Sequence, residues 1–355
     1  MDLSLSLDIT DRSDYVYVMN DILQDKMNET LEAFGAKAEC VRAHCHRHLA
    51  VFDIRLRDGY RVRRLEWYSR EIALALQTKT EPIITTVPEL GVVRLKVAME
   101  DAETLSLKEL FSQHPVPPGI LPFLIGETDE GEPLWLDMAT NPHMLVAGGT
   151  GSGKSTFLHV LIANALRRND VDLFLVDPKH GVEFGMYVRD AMTLTSSYEE
   201  TIAMLERVRE LMEIRYKEMR QLGINSIEVR PEIFKKKLII IDEVADLMIW
   251  DSDKKNPDRG LFEKLLTSIA QKARAAGIYM VLATQRPSVD VLTGLVKTNF
   301  PARLACKVSC HQDSKVILDR TGAETLLGRG DAILNTNKHN YVRFQVAHIN
   351  PLRLV

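Results

Sequence analysis

The run Gly148-Gly149-Thr150-Gly151-Ser152-Gly153-Lys154-Ser155-Thr156 has the residue types and the spacing of a phosphate cradle. Gly148, four residues, then Gly153-Lys154-Ser155 fits the P-loop pattern, in which glycines let backbone N–H groups approach phosphate oxygens without a Cβ in the way. Lys154 is expected to reach the β- and γ-phosphates and Ser155 to ligate Mg²⁺, so ATP and Mg²⁺ are the implied cofactors. A second pair, Asp242-Glu243, follows the apolar run Lys237-Leu238-Ile239-Ile240-Ile241. In P-loop enzymes an acid in that place holds the Mg²⁺ shell, and a neighbouring Glu orients and deprotonates the attacking water. Asp242 takes the first role and Glu243 the second. Gln285, at the end of the apolar run Tyr279-Met280-Val281-Leu282-Ala283-Thr284, is placed to sense the γ-phosphate.

Such groups act together only if strands and helices bring them to one edge. His143-Met144-Leu145-Val146-Ala147 reads as a strand feeding the cradle, and Phe157–Leu166 as a helix whose N-terminal dipole faces the anion. Leu173–Val176 is a continuous apolar run and so a buried strand, capped by Asp177-Pro178-Lys179. Tyr198–Leu222 is a long amphipathic helix closed by Gly223. Further strands are expected at Arg303–Val308 and Tyr341–Val346, and a hairpin at Leu121–Asp137 turns on Asp129-Glu130-Gly131. Alternating strand and helix from His143 onward implies an α/β fold with a mostly parallel, doubly wound sheet and its ligand at the carboxyl strand ends.

Composition bounds what this core is attached to. A chain of 355 residues with 45% hydrophobic and 26% charged residues is ordinary globular material, enough for about two domains. There is no apolar run long enough to span a bilayer and no basic n-region of a secretory signal; four cysteines give no disulfide framework, which points to a cytoplasmic setting. The net charge of -4 means that any nucleic-acid contact must come from a local basic patch. Residues 1–28 read as an N-terminal arm with an apolar stripe of Tyr15, Val18, Met19, Ile22 and Leu23. Residues 29–116 read as a small α/β module, with strands at Ala50–Leu56 and Val92–Val97 and a helix at Tyr68–Leu76. The Pro-rich run His114–Gly119 links it to a larger domain, 117–355. His44, His46 and His48 alternate as one strand face, but no second ligand cluster with zinc spacing follows, so they read as a solvated face.

Four blocks carry a family resemblance: residues 143–156; Met212–Asn225; Ile239–Met248 (Ile-Ile-Ile-Asp-Glu-Val-Ala-Asp-Leu-Met); and Ala270–Asp331. The last holds Ala-Gln-Lys-Ala-Arg-Ala-Ala-Gly-Ile, then Leu-Ala-Thr-Gln-Arg-Pro-Ser-Val-Asp-Val-Leu-Thr-Gly-Leu-Val-Lys, then Ile-Leu-Asp-Arg-Thr-Gly-Ala-Glu-Thr-Leu-Leu-Gly-Arg-Gly-Asp. Together they resemble the RecA-like motor domain of the FtsK/SpoIIIE DNA translocases, and residues 30–125 resemble the family's smaller subdomain more loosely. The resemblance implies a homo-oligomeric, hexameric ring that pulls double-stranded DNA through its pore and hydrolyses ATP between protomers. Arg274 matches the arginine that the family inserts into the neighbouring site. Arg286 and Lys297 match basic positions of the first DNA-facing loop and Lys315 one in the second, where His311 replaces the usual Lys.

Two alternatives share parts of this pattern. A peptide-export or DNA-transfer coupling ATPase of the same superfamily keeps every ATP residue and differs in what the pore grips, and a non-translocating NTP switch needs neither ring nor Arg274. The chain ends at Val355, one strand past the last motif, so no winged-helix module is expected within it and orientation on DNA would come from a partner protein. Asp251–Gly260 is longer than the family's usual connection and reads as a solvated loop.

Overall fold

Short runs rich in Val, Ile and Leu form strands, and the longer periodic segments between them form helices that cover both faces of the resulting sheet. The computed structural model describes residues 12–46, 49–78, 81–98, 104–188, 193–253 and 260–350. Its contacts cluster into two units, residues 1–104 with the turn Asp129–Gly131, and residues 105–128 with 132–355.

In the first unit, α1 (Arg12–Ala33) precedes a four-stranded sheet of β1 (Ala38–His46), β2 (Leu49–Leu56), β3 (Ile83–Val87) and β4 (Val92–Ala98), in the antiparallel order β1-β2-β4-β3. Between β2 and β3 lie α2 (Val62–Trp67) and α3 (Ser69–Leu76). The helix expected at Tyr68–Leu76 is α3, and α2, which is not expected from the sequence, precedes it and shares Tyr68 as cap. There is no separate arm ending at residue 28. Leu23, Met27 and Leu31, four residues apart on α1, are buried with Phe52, Ile54, Ile72 and Leu95 in one core. The helix runs past the expected boundary because its apolar stripe continues to Leu31; residues 1–11 lie outside those described. β2 is buried on both faces from Leu49 to Ile54. The one charge among them, Asp53, is satisfied by a bidentate ion pair with Arg94, at 2.7 and 2.9 Å.

The second unit opens with α4 (Leu107–Gln113), whose Leu107 and Leu110 belong to this unit's core. The division therefore falls at Thr104/Leu105, ahead of the Pro-rich run. Ten strands follow in the order β6-β5-β14-β13-β12-β7-β11-β10-β8-β9. They are β5 (Pro122–Thr128), β6 (Pro133–Asp137), β7 (His143–Ala147), β8 (Val171–Val176), β9 (Thr193–Thr195), β10 (Lys236–Ile241), β11 (Ile278–Thr284), β12 (Ala302–Cys306), β13 (Asp331–Asn335) and β14 (Val342–Val346). From β12 to β9 every pairing is parallel, and from β12 back to β6 every pairing is antiparallel. The hairpin of β5 and β6 is the one expected at Leu121–Asp137, whereas β13 and the joining of that hairpin to the sheet through β14 are not legible from strand spacing.

Alternation along the central strands separates two cores. Met144, Val146, Leu238, Ile240, Tyr279 and Val281 face α4 and α5 (Lys154–Leu166). Leu145, Ile239, Ile241, Met280 and Leu282 face α6 (Tyr198–Gln221), α7 (Val244–Ser252) and α8 (Leu261–Ala270). This is the doubly wound arrangement, with α9 (Gly294–Asn299) and α10 (His311–Leu318) flanking β12 in sequence. α5 is buried on every side from Phe157 to Ala165, with His159 and Asn164 the polar residues among apolar ones. Its Asn164 is pinned to Leu124 of β5 by bonds of 2.8 and 2.9 Å.

The long connection before α8 is closed at its base. Asp251, 4% exposed, accepts from Tyr198 Oη at 2.8 Å and from the Phe262 N–H at 3.1 Å, and its carbonyl accepts the Gly260 N–H at 3.1 Å. Its first residue is thus a structural clamp rather than a solvated one; residues 254–259 lie outside those described. Among the described residues no helix is long and apolar enough to cross a membrane, and no group of three His, Cys, Asp or Glu side chains could hold a metal ion. His48 lies outside them.

Candidate active site

The cradle connects the carboxyl end of β7 to the N-terminus of α5, and its backbone is tied on two sides. Gly148 N–H donates to the Thr284 carbonyl at 3.2 Å and Gly149 N–H to the Lys307 carbonyl at 2.9 Å, fixing the loop to the strand ends of β11 and β12. On the other side the turn Gly328-Arg329-Gly330, all with positive φ, docks through Gly330 N–H to the Ser152 carbonyl at 2.9 Å. Gly153 sits at φ +106°, and a Cβ there would lie 2.3 Å from the Gly330 nitrogen. Gly153→Ala is therefore expected to displace one wall of the cradle, with backbone strain of about 1–3 kcal/mol, and to weaken ATP binding at least ten-fold. Titration with a fluorescent ATP analogue reads this directly, and an unchanged affinity in a folded variant would contradict it.

Lys154 begins α5 with its ammonium 2.6 Å from Asp242 Oδ1 and 3.0 Å from the Asp242 carbonyl; the two residues are 3% and 1% exposed. Asp242 reaches this point because β10 lies beside β8 in parallel register, with its N–H donating to the Val176 carbonyl at 3.0 Å. Its other oxygen faces Lys179 Nζ at 3.5 Å. Sequence reasoning misses Lys179, yet a signal exists: Asp177-Pro178-Lys179 and Asp242 follow neighbouring parallel strands at matching positions. Asp177 itself is fully buried and organises the loop after β8, accepting from the N–H groups of Lys179, Glu183 and Phe184 at 3.0, 2.8 and 3.0 Å.

Glu243, 4% exposed, is held at three points. Oε1 accepts from Thr284 Oγ1 at 2.6 Å and from the Ala245 N–H at 3.3 Å, and Oε2 accepts from the Gln285 N–H at 2.9 Å. Gln285 in turn takes a bond from Thr150 Oγ1 to its Oε1 at 3.1 Å, and Thr284 Oγ1 accepts the Arg286 N–H at 3.0 Å. The cradle, the acid and the first residue of the loop after β11 thus form one hydrogen-bonded chain. Thr284 escapes sequence reasoning because an apolar run offers no reason to single out its last residue.

Glu183 escapes it too. Its carboxylate meets His159 Nε2 at 3.1 Å, and His159 Nδ1 meets Tyr187 Oη at 2.8 Å. The His159 hydrogen bond holds the Glu183 carboxyl below its ordinary range against the opposing effect of burial, and the nearby Ser155 hydroxyl and Lys154 ammonium act in the same direction. The oxygens available to Mg²⁺ here, the Asp242 carboxylate and the Ser155 hydroxyl, are hard donors suited to that ion, so the residues fit it. Thr156 follows Ser155 on the first turn of α5.

The remaining expected residues lie elsewhere in the unit. Arg274 is in a turn after α8, not on a helix; it is about half exposed, with its Nε 3.6 Å from Glu228 Oε1. Gly277 closes that turn at φ +67° just before β11. Arg286, His311 and Lys315 are exposed, and among the described residues neither Arg286 nor Lys315 forms an ion pair. Lys297 differs, because its ammonium is 2.6 Å from Asp319, which Arg303 also engages. The basic residues between Thr284 and Lys315 (Arg286, Lys297, Arg303, Lys307 and Lys315) are therefore partly neutralised by an acid just beyond them.

Residues 107–238 and 235–289 match the model of the FtsK/SpoIIIE family. Over 346 residues the chain is 34% identical to the DNA translocase FtsK of Streptococcus agalactiae, an alignment that covers 91% of this chain and 41% of that protein. The chain thus spans less than half the length of this relative. Among solved structures it is similar to the monomer form of the pCW3 conjugation coupling protein TcpA with ATPgS, at TM-score 0.67, with 20% identity over 93% of this chain and 98% of that one. The cytoplasmic domain of the Thermomonospora curvata type VII secretion ATPase EccC is similar at TM-score 0.59, with 24% identity over 70% of this chain and 32% of that one. These two likenesses bear on the fold, which is that of P-loop ATPases. The family match runs without a break from α4 through the cradle and the Asp242-Glu243 strand to the loop after β11, and the chain belongs to the FtsK/SpoIIIE family.

Proposed function

We propose that this chain is an ATP-hydrolysing motor that moves double-stranded DNA, working in the cytoplasm as a homo-oligomeric ring. The observation that carries the reading is the hydrogen-bonded chain from Thr150 through Gln285 and Glu243 to Thr284 and Arg286, because it joins the phosphate cradle to the first residue of a basic loop. In this reading the cradle N–H groups and Lys154 hold the triphosphate. Ser155 and Asp242 hold Mg²⁺, which when bound neutralises charge on the β- and γ-phosphates. Glu243 takes the proton of the attacking water, and Gln285 answers to loss of the γ-phosphate by shifting the loop that carries Arg286.

Position supports a shared site. Arg274 precedes the amino end of β11, whereas the cradle follows the carboxyl end of the parallel strand β7. Seven residues of strand separate the two edges, a span of about 20 Å at the usual rise per residue. An arginine at the far edge of its own sheet suits the site of a neighbouring protomer.

Contact with DNA is assigned to Arg286, Lys297, His311 and Lys315, through phosphate and without base readout. Changing Arg286, Lys297 and Lys315 to Ala together should abolish stimulation by DNA and leave basal hydrolysis largely intact. Each phosphate that the variant no longer neutralises should reduce the log-log salt slope of binding by about 0.9. Because Lys297 is engaged by Asp319, its single substitution should cost less than that of Arg286 or Lys315. Comparing ATP turnover with duplex DNA, single strands, RNA, basic or acidic polypeptide and no polymer tests the whole reading. Stimulation by polypeptide alone would favour the export alternative, and turnover indifferent to every polymer would favour the switch.

A further inference from the structure

We propose that Glu183 is a positioning residue for the Mg²⁺ site, held by the buried pair Tyr187 and His159 so that it takes the Ser155 hydroxyl proton and turns that oxygen's lone pair toward the metal. The inference rests on the reading that Ser155 ligates Mg²⁺. A serine hydroxyl can bind a cation only through a lone pair, so its proton needs an acceptor on the opposite side. Ser155 and His159 are four residues apart on α5 and therefore share a face. Glu183 meets that face, with its carboxylate 3.1 Å from His159 Nε2, and the Ser155 hydroxyl one turn earlier helps to hold its carboxyl below the ordinary range.

This contact is built rather than incidental. An ionised carboxylate only accepts, so Nε2 carries the imidazole proton, and Nδ1 accepts from Tyr187 Oη at 2.8 Å. Tyr187 is fully buried, His159 is 8% exposed, and burial raises the phenol so that it keeps its proton. The backbone of Glu183 and Phe184 is clamped by Asp177, itself fully buried. His159, backed by Tyr187, thus holds the Glu183 carboxylate beside the cradle, while Asp177 holds its backbone. Groups that hydrogen-bond a metal ligand from behind orient it and tune its affinity, and losing one typically costs about 10–100-fold in metal binding.

The test compares the affinity of a fluorescent ATP analogue in EDTA and in Mg²⁺, for the purified chain and its variants, with thermal melts alongside. The ratio of the two affinities is the gain due to Mg²⁺. Glu183→Gln should lose at least ten-fold of this gain while its affinity in EDTA stays level or improves, since a negative charge near the triphosphate is gone. Tyr187→Phe keeps the packing and removes only the donor to His159, and should reduce the gain about three-fold with little change in melting. An intact gain in either folded variant overturns the proposal, and if Glu183→Gln fails to fold, Tyr187→Phe decides alone. Ser155→Ala separates the two levels. If it too leaves the gain intact, Mg²⁺ is not held at Ser155 and the underlying reading fails; if only Ser155→Ala loses it, the proposal for Glu183 fails by itself.

Discussion

Glu243→Gln should bind ATP within a few-fold of the parent chain and hydrolyse it about 10²–10⁴-fold more slowly, the range that a positioned general base contributes. The substitution keeps one oxygen acceptor and exchanges the other for an NH₂ group. With the amide oxygen at the Oε1 position, the bonds from Thr284 and Ala245 survive, while the NH₂ confronts the Gln285 N–H that Oε2 now accepts. Gln285 should therefore loosen from Thr150, so coupling to the loop after β11 weakens along with turnover. Lys154→Ala should behave differently. It removes the nearer cation from Asp242, a carboxylate 1% exposed, and leaves only the more distant Lys179. Loss of nucleotide affinity should come with destabilisation of about 3–5 kcal/mol, the usual cost of breaking a buried pair from one side. Adding Asp242→Asn to Lys154→Ala should restore much of the stability and none of the binding. Rapid-quench turnover, nucleotide titration and denaturant melts on the three variants separate these effects; comparable turnover in Glu243→Gln and the parent would remove Glu243 from the role of base.

Residues tied to a motif with a fixed backbone geometry can be found in the sequence, and residues that act by meeting across the fold cannot. The cradle announces itself because glycine at Gly151 and Gly153, both at positive φ, has no common substitute. Asp242 and Glu243 are legible because an apolar run of strand length ends on them. Glu183, His159 and Tyr187 lie on a buried helix and an irregular loop, where His and Tyr read as ordinary core residues and a lone Glu as a solvated one. Their chemistry appears only when α5 is laid beside the loop after β8. Asp319 is hidden for a related reason: it lies past the basic window that ends at Lys315, and only the fold-back of α10 brings it onto Lys297 and Arg303. In the first unit, the stripe from Leu23 to Leu31 has helical spacing throughout, so a boundary at residue 28 follows composition where periodicity carries the information. The hairpin of β5 and β6 and the strand β14 are legible, but β13 and the antiparallel pairings that join them to β12 are not, because spacing along the chain fixes neither partner nor direction.

Arg274→Ala should lower turnover about 10³–10⁵-fold, the effect of withdrawing an arginine from developing charge on the transferring phosphoryl group. The structure gives a reason to expect the loss to be repairable by another chain. Arg274 stands at the amino edge of β11 and the cradle at the opposite edge of the sheet, so an intact cradle cannot be served by the arginine of its own chain. In the proposed ring, head-to-tail interfaces would then pair each cradle with a neighbour's Arg274. Neither Arg274→Ala nor Glu243→Gln rings hold a complete site. In rings mixed at equal proportions, an Arg274→Ala protomer offers an intact Glu243 to the intact arginine of a Glu243→Gln neighbour at about one interface in four. Up to about a quarter of parental turnover should return if the interfaces fire independently, and less if firing requires consecutive intact sites. Glu228→Gln adds a control on position, because it frees Arg274 from its 3.6 Å partner without touching the guanidinium. Turnover there should change only a few-fold, against the loss of about 10³ or more in Arg274→Ala. The mixing is checked by native mass spectrometry of differently tagged chains before turnover is read. Demonstrably mixed rings with no recovered activity would mean that Arg274 does not act across the interface.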